Sequence, residues 1–141
     1  MVRVHVTDGR RGGAVWDGPV EFELGRGRIA LGSWITNGLE FYSGGVAYEQ
    51  EIEIADPTRW RVLDLGHVRG TAEVEINGTP VGARVWSPYR FDLAGTLRPG
   101  RNRIVARVFN TLAPYLKGAS PTRTIFGNQD DSGLFGPVVL R

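Results

Sequence analysis

The chain has 141 residues, no cysteine, and seventeen Lys and Arg against fifteen Asp and Glu, for a formal charge of +2. That length suits one ordinary domain able to bury roughly two-thirds of its unfolded surface, and the absence of thiols excludes disulfides, zinc ribbons and thiol catalysis while leaving the compartment open. Lys117 is the single lysine, and the arginines (Arg3, Arg26, Arg59, Arg84, Arg101 and Arg123 among them) are scattered, so the dense basic face that a nucleic acid partner requires is not expected.

Val2-Arg3-Val4-His5-Val6 alternates apolar with polar residues and lacks the continuous apolar run of a signal peptide or membrane span, so no membrane partner is expected. Downstream, twenty glycines and eight prolines punctuate short runs. Nowhere do apolar positions recur with a helical period over the ~10 residues a helix assignment needs, and the chain reads as all-β. From Val46 to Ile54, residues Val46, Tyr48, Ile52 and Ile54 share one face, while Ala47, Glu49, Glu51 and Glu53 share the other, which predicts a strand with one wet side. Arg61 to Leu65 is a second strand closed by Gly66. Thr71 to Ile76 is a third, with Ala72, Val74 and Ile76 facing the core. Asn77-Gly78 tolerates positive φ at both positions and predicts a tight hairpin, with Val81 to Trp86 returning.

Tyr89, Phe91 and Leu93 alternate in the next run, Leu97 to Asn102 forms a turn around Pro99-Gly100, and Ile104, Ala106 and Val108 carry the core face of a further strand. Val138 to Leu140 is the last strand. Strands at spacings of about ten residues, each with one polar face, predict antiparallel sheets packed as a β-sandwich or jelly roll in a single domain over residues 1–141. The irregular stretches, Thr7–Gly18, Gly25–Gly45 and Asn110–Gly136, are where function is expected.

Several pieces form an ordered set. Trp34, Gly38-Leu39, Tyr42-Ser43-Gly44 and Tyr48 come first, followed by Leu63-Asp64-Leu65-Gly66 to Val68 and Ile76-Asn77-Gly78 to Val81-Gly82. Trp86, Pro88-Tyr89, Phe91-Asp92-Leu93, Leu97, Gly100, Asn102, Val108 and Asn110 continue it, and Ser132-Gly133-Leu134 with Gly136-Pro137-Val138 closes it. From about Leu24 onward this set resembles the galactose-binding-like jelly-roll domain of large glycoside hydrolases, the β-galactosidase and β-glucuronidase group and especially the α-L-rhamnosidases. One departure follows Asn110, where that pattern has a second asparagine and an Ile-Gly-Asp stretch but this chain has Pro114-Tyr115-Leu116-Lys117-Gly118.

In those enzymes the catalytic carboxylates lie on a separate barrel, and the alternating βα pattern of a barrel is absent here. The resemblance therefore implies a non-catalytic, carbohydrate-binding-like accessory domain, a fragment of a longer multidomain glycoside hydrolase whose catalytic domain would be its partner. The alternative is a purely structural domain that packs against the catalytic barrel and lends a loop to its active site. The fold alone does not specify a sugar.

Sugars are held by aromatic faces and by planar polar side chains. Trp34 and Tyr42 flank the loop containing Asn37, and Trp86 and Tyr89 flank Ser87-Pro88, so either pair could form a platform; each is also a plausible core or loop anchor, as Tyr48 and Phe91 are within their strands. Asn128, Gln129 and Asp130, followed by Asp131, offer two amides and two carboxylates as a ligand clamp, or else an Asx-rich turn that satisfies its own backbone. Calcium would suit such oxygens, although the spacing is not that of an EF-hand loop; no other metal or cofactor is expected. On a strand Asp130 and Asp131 would point apart, whereas glycoside hydrolysis needs two carboxyls facing each other across a bond. His5 and His67 are isolated, and no Gly-x-Ser-x-Gly elbow is present, so a self-sufficient hydrolase is not expected.

Overall fold

The computed structural model describes residues 28–119 and 129–141. In chain order they form β1 (Gly32–Ser33), β2 (Gly45–Ile54), a single 3-10 turn at Pro57–Arg59, β3 (Val62–Asp64), β4 (His67–Arg69), β5 (Thr71–Ile76), β6 (Thr79–Arg84), β7 (Arg90–Asp92), β8 (Gly100–Phe109), a helix α1 (Ala113–Ala119), β9 (Gly133–Gly136) and β10 (Val139–Leu140). One antiparallel sheet has the order β2-β8-β5-β6. Facing it are two smaller sheets, β10-β3-β7 and β1-β9-β4, which meet at an isolated bridge between Gly66 and Gly136.

The two layers share one core. Ala72, Val74, Ile76, Ile104, Ala106 and Val108 come from the large sheet, and Leu63, Leu65, Val68, Phe91, Leu93 and Leu134 from the smaller ones, all buried, as the alternation of period two requires. This is the antiparallel β-sandwich, jelly-roll class that the sequence pattern predicts. On the outer face, β8 alternates Arg101, Arg103 and Arg107 with Val105, opposite Glu49 and Glu51 on β2 and Glu75 on β5. Arg103 takes both oxygens of Glu49, Arg107 pairs with Glu75 at 3.0 Å, and Val105 is buried among these long side chains.

Turn chemistry sets the register. Asn77 (φ 52) and Gly78 (φ 84) make the tight hairpin between β5 and β6. The Asn77 amide then donates to Asn102 Oδ1 at 2.9 Å and to the Thr96 carbonyl at 3.2 Å, while Asn77 Oδ1 accepts from Arg103 N–H. Asn102 is fully buried, and its amide also closes the Arg98–Gly100 turn, donating to the carbonyls of both residues and accepting from Arg98 N–H. Two side chains thus stitch two distant turns together.

The predicted strands are present, Thr71–Ile76 with its predicted bounds and the others with shifted ends, and β8 starts at Gly100, inside the stretch expected to be a turn. The returning hairpin strand stops at Arg84 before Trp86, because Val85 and Trp86 leave the ladder. Strands β1, β4 and β9 were not legible, being short and glycine-flanked and held by partners far away in sequence. The predicted irregular stretch after Asn110 holds α1, too short to show a helical period. The stretch Thr7–Gly18 and Asn128 lie outside the described residues.

Candidate functional site

At one end of the sandwich, the Val85–Tyr89 connection, the start of β4 and the residues after β8 enclose an open cleft of about 420 Å3, lined by His67, Gly70, Val85, Trp86, Ser87, Tyr89, Phe109, Asn110 and Thr111 among others. The floor is rigid for identifiable reasons. Tyr89 is 6% exposed and donates its hydroxyl to the Gly70 carbonyl at 2.6 Å, and burial pushes its phenol above its ordinary pKa. Gly70 has φ 142, and a Cβ there would sit 2.4 Å from the Phe109 carbonyl oxygen, so a side chain is excluded on both counts. The wall is different: Trp86 is 75% exposed, its indole offered to solvent beside the fixed floor.

Two further lining groups are tied to their neighbours. The His67 ring lies 5.1 Å from that of Phe135. Asn110 accepts from Gly44 N–H and donates to the Tyr42 carbonyl, both at 2.8 Å, which fastens the cleft to the loop between β1 and β2. Among the described residues, no carboxylate lines the cleft.

The other predicted candidates gather at a neighbouring corner. Trp34 is 1% exposed, its indole N–H donating to Tyr48 Oη at 2.7 Å, so its faces belong to the core. Tyr42 packs its ring 5.9 Å from that of Trp34, remains partly exposed, and donates to the Gly45 carbonyl. Asn37 accepts from Ala30 N–H and donates to the Ala30 and Ser33 carbonyls, a loop staple. Gln129 is exposed. Asp130 pairs with Lys117 of α1 at 2.8 Å, and Lys117 also reaches Glu40 at 3.2 Å. The ammonium holds the Asp130 carboxyl below its ordinary pKa. Asp131 accepts from Ser33 Oγ and pairs with Arg69 at 3.1 Å. Each of these carboxylates therefore already neighbours a cation of the chain, and among the described residues no three His, Asp or Glu side chains gather as a metal site.

The structure therefore brings Trp34, Asn37 and Tyr42 into one loop and joins Trp86 and Tyr89 through a single cleft, but it gives the paired aromatics opposite fates. His67, Asn110 and Thr111 went unpredicted as cleft residues. Asn110 and Thr111 open the irregular stretch Asn110–Gly136 in which function is expected, whereas His67 carried no signal.

An antiparallel jelly roll is the fold that the resemblance to the sugar-binding-like domains of large glycoside hydrolases implies. Comparison with known proteins supports the same class. The chain is similar to a rhamnosidase from Novosphingobium sp. PP1Y, with 30% identity and a TM-score of 0.63 over 73% of this chain and 11% of that one. It shares its fold with a β-D-mannosidase from Dictyoglomus thermophilum (16% identity, TM-score 0.54, 77% of this chain and 16% of that one). It also shares it with a β-galacturonidase from Eisenbergiella tayi (24% identity, TM-score 0.53, 73% and 18%). In sequence it is 31% identical over 87 residues to a "Putative beta-glucuronidase" of Formosa agariphila, covering 57% of this chain and 8% of that protein. No family model matches. The chain thus spans 8% of the curated relative and 11% of the rhamnosidase, a domain-sized piece of each.

Proposed function

We propose that this chain is a non-catalytic, carbohydrate-binding-like accessory domain of a larger glycoside hydrolase, and that the cleft beside Trp86 takes the apolar face of a sugar ring. The observation that carries this is the pairing of a three-quarters exposed indole with a preorganised floor: Trp86 stands free while Tyr89 and Gly70 are locked beneath it. Stacking on the indole supplies affinity, and Ser87, His67, Asn110 and Thr111 supply polar groups at the cleft wall for ring hydroxyls. A non-catalytic role agrees with a cleft that no carboxylate lines among the described residues and with the ion pairs that hold Asp130 and Asp131. Its partners are then a carbohydrate and the catalytic domain of the same polypeptide.

The test is a titration of tryptophan fluorescence with mono- and oligosaccharides, rhamnosides and galactosides included, with and without calcium. Saturable binding that weakens at least tenfold in Trp86→Ala is expected; equal affinity in that variant would sink the cleft as the site. A second reading, a structural domain docked on the catalytic barrel, is favoured by the apolar side chains exposed around the cleft and beyond it, Val85, Phe109, Leu112 and Tyr115. It predicts no response to any sugar and a loss of association with the catalytic domain in Trp86→Ala.

A further inference from the structure

The chain contains Asn-Gly twice, as Asn37-Gly38 in the loop after β1 and as Asn77-Gly78 in the hairpin between β5 and β6. An asparagine before a glycine is chemically labile, because glycine has no side chain to hinder attack of its backbone nitrogen on the preceding side-chain amide. Base removes the glycine N–H proton, the nitrogen bonds to the asparagine Cγ, and the Cγ–Nδ2 bond breaks, releasing ammonia and leaving a cyclic succinimide. Water then opens one or the other carbonyl–nitrogen bond, giving aspartate or its isomer in which the main chain runs through the side-chain carboxyl. The attack requires the side chain to swing over the next peptide nitrogen, so hydrogen bonds that hold the amide elsewhere must open first.

Both amides make three such bonds, but to different kinds of partner. Asn77 reaches the Thr96 carbonyl, the Arg103 N–H and the Oδ1 of Asn102, groups 19 to 26 residues away, and its backbone N–H donates to the Arg103 carbonyl at 2.9 Å. Asn102 is fully buried and holds the Arg98–Gly100 turn, so freeing Asn77 means parting the hairpin from two other turns and leaving buried groups without partners. Asn37 binds only backbone groups of its own loop: the Ala30 N–H at 3.1 Å, the Ala30 carbonyl at 3.3 Å and the Ser33 carbonyl at 2.9 Å. The Gly38 nitrogen is held by one bond of 3.2 Å to the Ile35 carbonyl. A local opening of residues 30–38 releases amide and nucleophile together, and such openings cost far less than separating packed strands. We infer that Asn37 is a site of covalent modification by deamidation, and that the network around Asn102 shields Asn77 from the same reaction. The product carboxylate has no hydrogen to give the Ala30 and Ser33 carbonyls and sets a negative charge beside them, so the loop that carries Trp34 loses its staple. This inference does not depend on sugar binding.

The test keeps the unmodified 141-residue chain folded at mildly alkaline pH over days and follows each asparagine by peptide mapping for a mass gain of about one dalton. Asn37 is expected to convert at least tenfold faster than Asn77, with ammonia released in step and a rate that rises with pH. In denaturing urea the two rates should come within about threefold of each other, because each asparagine then follows a β-branched residue, Thr36 or Ile76, and precedes a glycine in an open chain. Equal rates in the folded chain would overturn the inference. So would an Asn37 no faster than Asn110, which precedes a threonine, or a tenfold gap that survives in urea and therefore belongs to the local sequence. Asn37→Asp, made directly, reads the consequence: a lower thermal midpoint than the natural chain is expected, and an unchanged midpoint would overturn the loss of the staple.

Discussion

Tyr89 and Asp64 show how single polar groups tie segments distant in the sequence to one another. The Tyr89 hydroxyl reaches a carbonyl that its own backbone segment could not, on a glycine 19 residues away. Tyr89→Phe removes that bond and leaves the Gly70 carbonyl without its partner, at a cost of about 1–1.5 kcal/mol, measured as a lower denaturant midpoint with unchanged slope. Asp64 accepts from Gly66 N–H at 3.0 Å and from Arg90 Nε at 2.9 Å, with Arg141 nearby. The Gly66 N–H, more than the two guanidiniums, holds its carboxyl below the ordinary range against the opposing effect of burial. The unfolded chain then takes up this proton more readily than the folded one. The resulting stability is fully present above the ordinary carboxylate pKa and is lost as pH falls through the depressed folded value. Asp64→Asn should therefore be less stable than the natural chain at neutral pH, by roughly 1–3 kcal/mol. That difference should shrink as pH falls below about 4, and parallel unfolding curves at several pH values check it.

Turns do more than the strands to fix the register of the elements. The hairpin after β5 was plain in the sequence because Asn77-Gly78 carries its own conformational reason. The purpose of Asn102 was not, since nothing local says that its amide will bridge three turn groups and a second asparagine. Asn102→Ala strands several buried partners at once and should destabilise by roughly 2–4 kcal/mol. Asn77→Ala adds less than a second full penalty, because the two residues share a network; a double-mutant cycle measures the shortfall. The arginine–glutamate ladder over β2, β8 and β5 is the opposite case, exposed and screened.

For the whole molecule, the proposed function asks the sandwich to present its end loops. Trp86 makes little contribution to the core, so Trp86→Ala should leave the thermal midpoint nearly unchanged while its effect on sugar or catalytic-domain binding is large; a matching loss of stability would reassign it to packing. Trp34→Ala should do the reverse, costing roughly 3–5 kcal/mol for a buried large aromatic, seen as early unfolding in a thermal scan.

The all-β class, most strands, both tight turns and the polar outer face followed from the sequence, because each depends on residues a few positions apart: period-two alternation, a positive-φ pair, a proline beside a glycine. Which loop aromatic became core and which became surface did not. Trp34 and Trp86 have similar surroundings in the chain, yet Trp34 is covered by β9 and Tyr48 whereas nothing among the described residues covers Trp86. Asp130 and Asp131, legible as a candidate clamp, met Lys117 and Arg69 only once α1 and β4 were in place. Burial and charge pairing are decided by groups distant in sequence, and those distances exist only after the sheets have closed on one another.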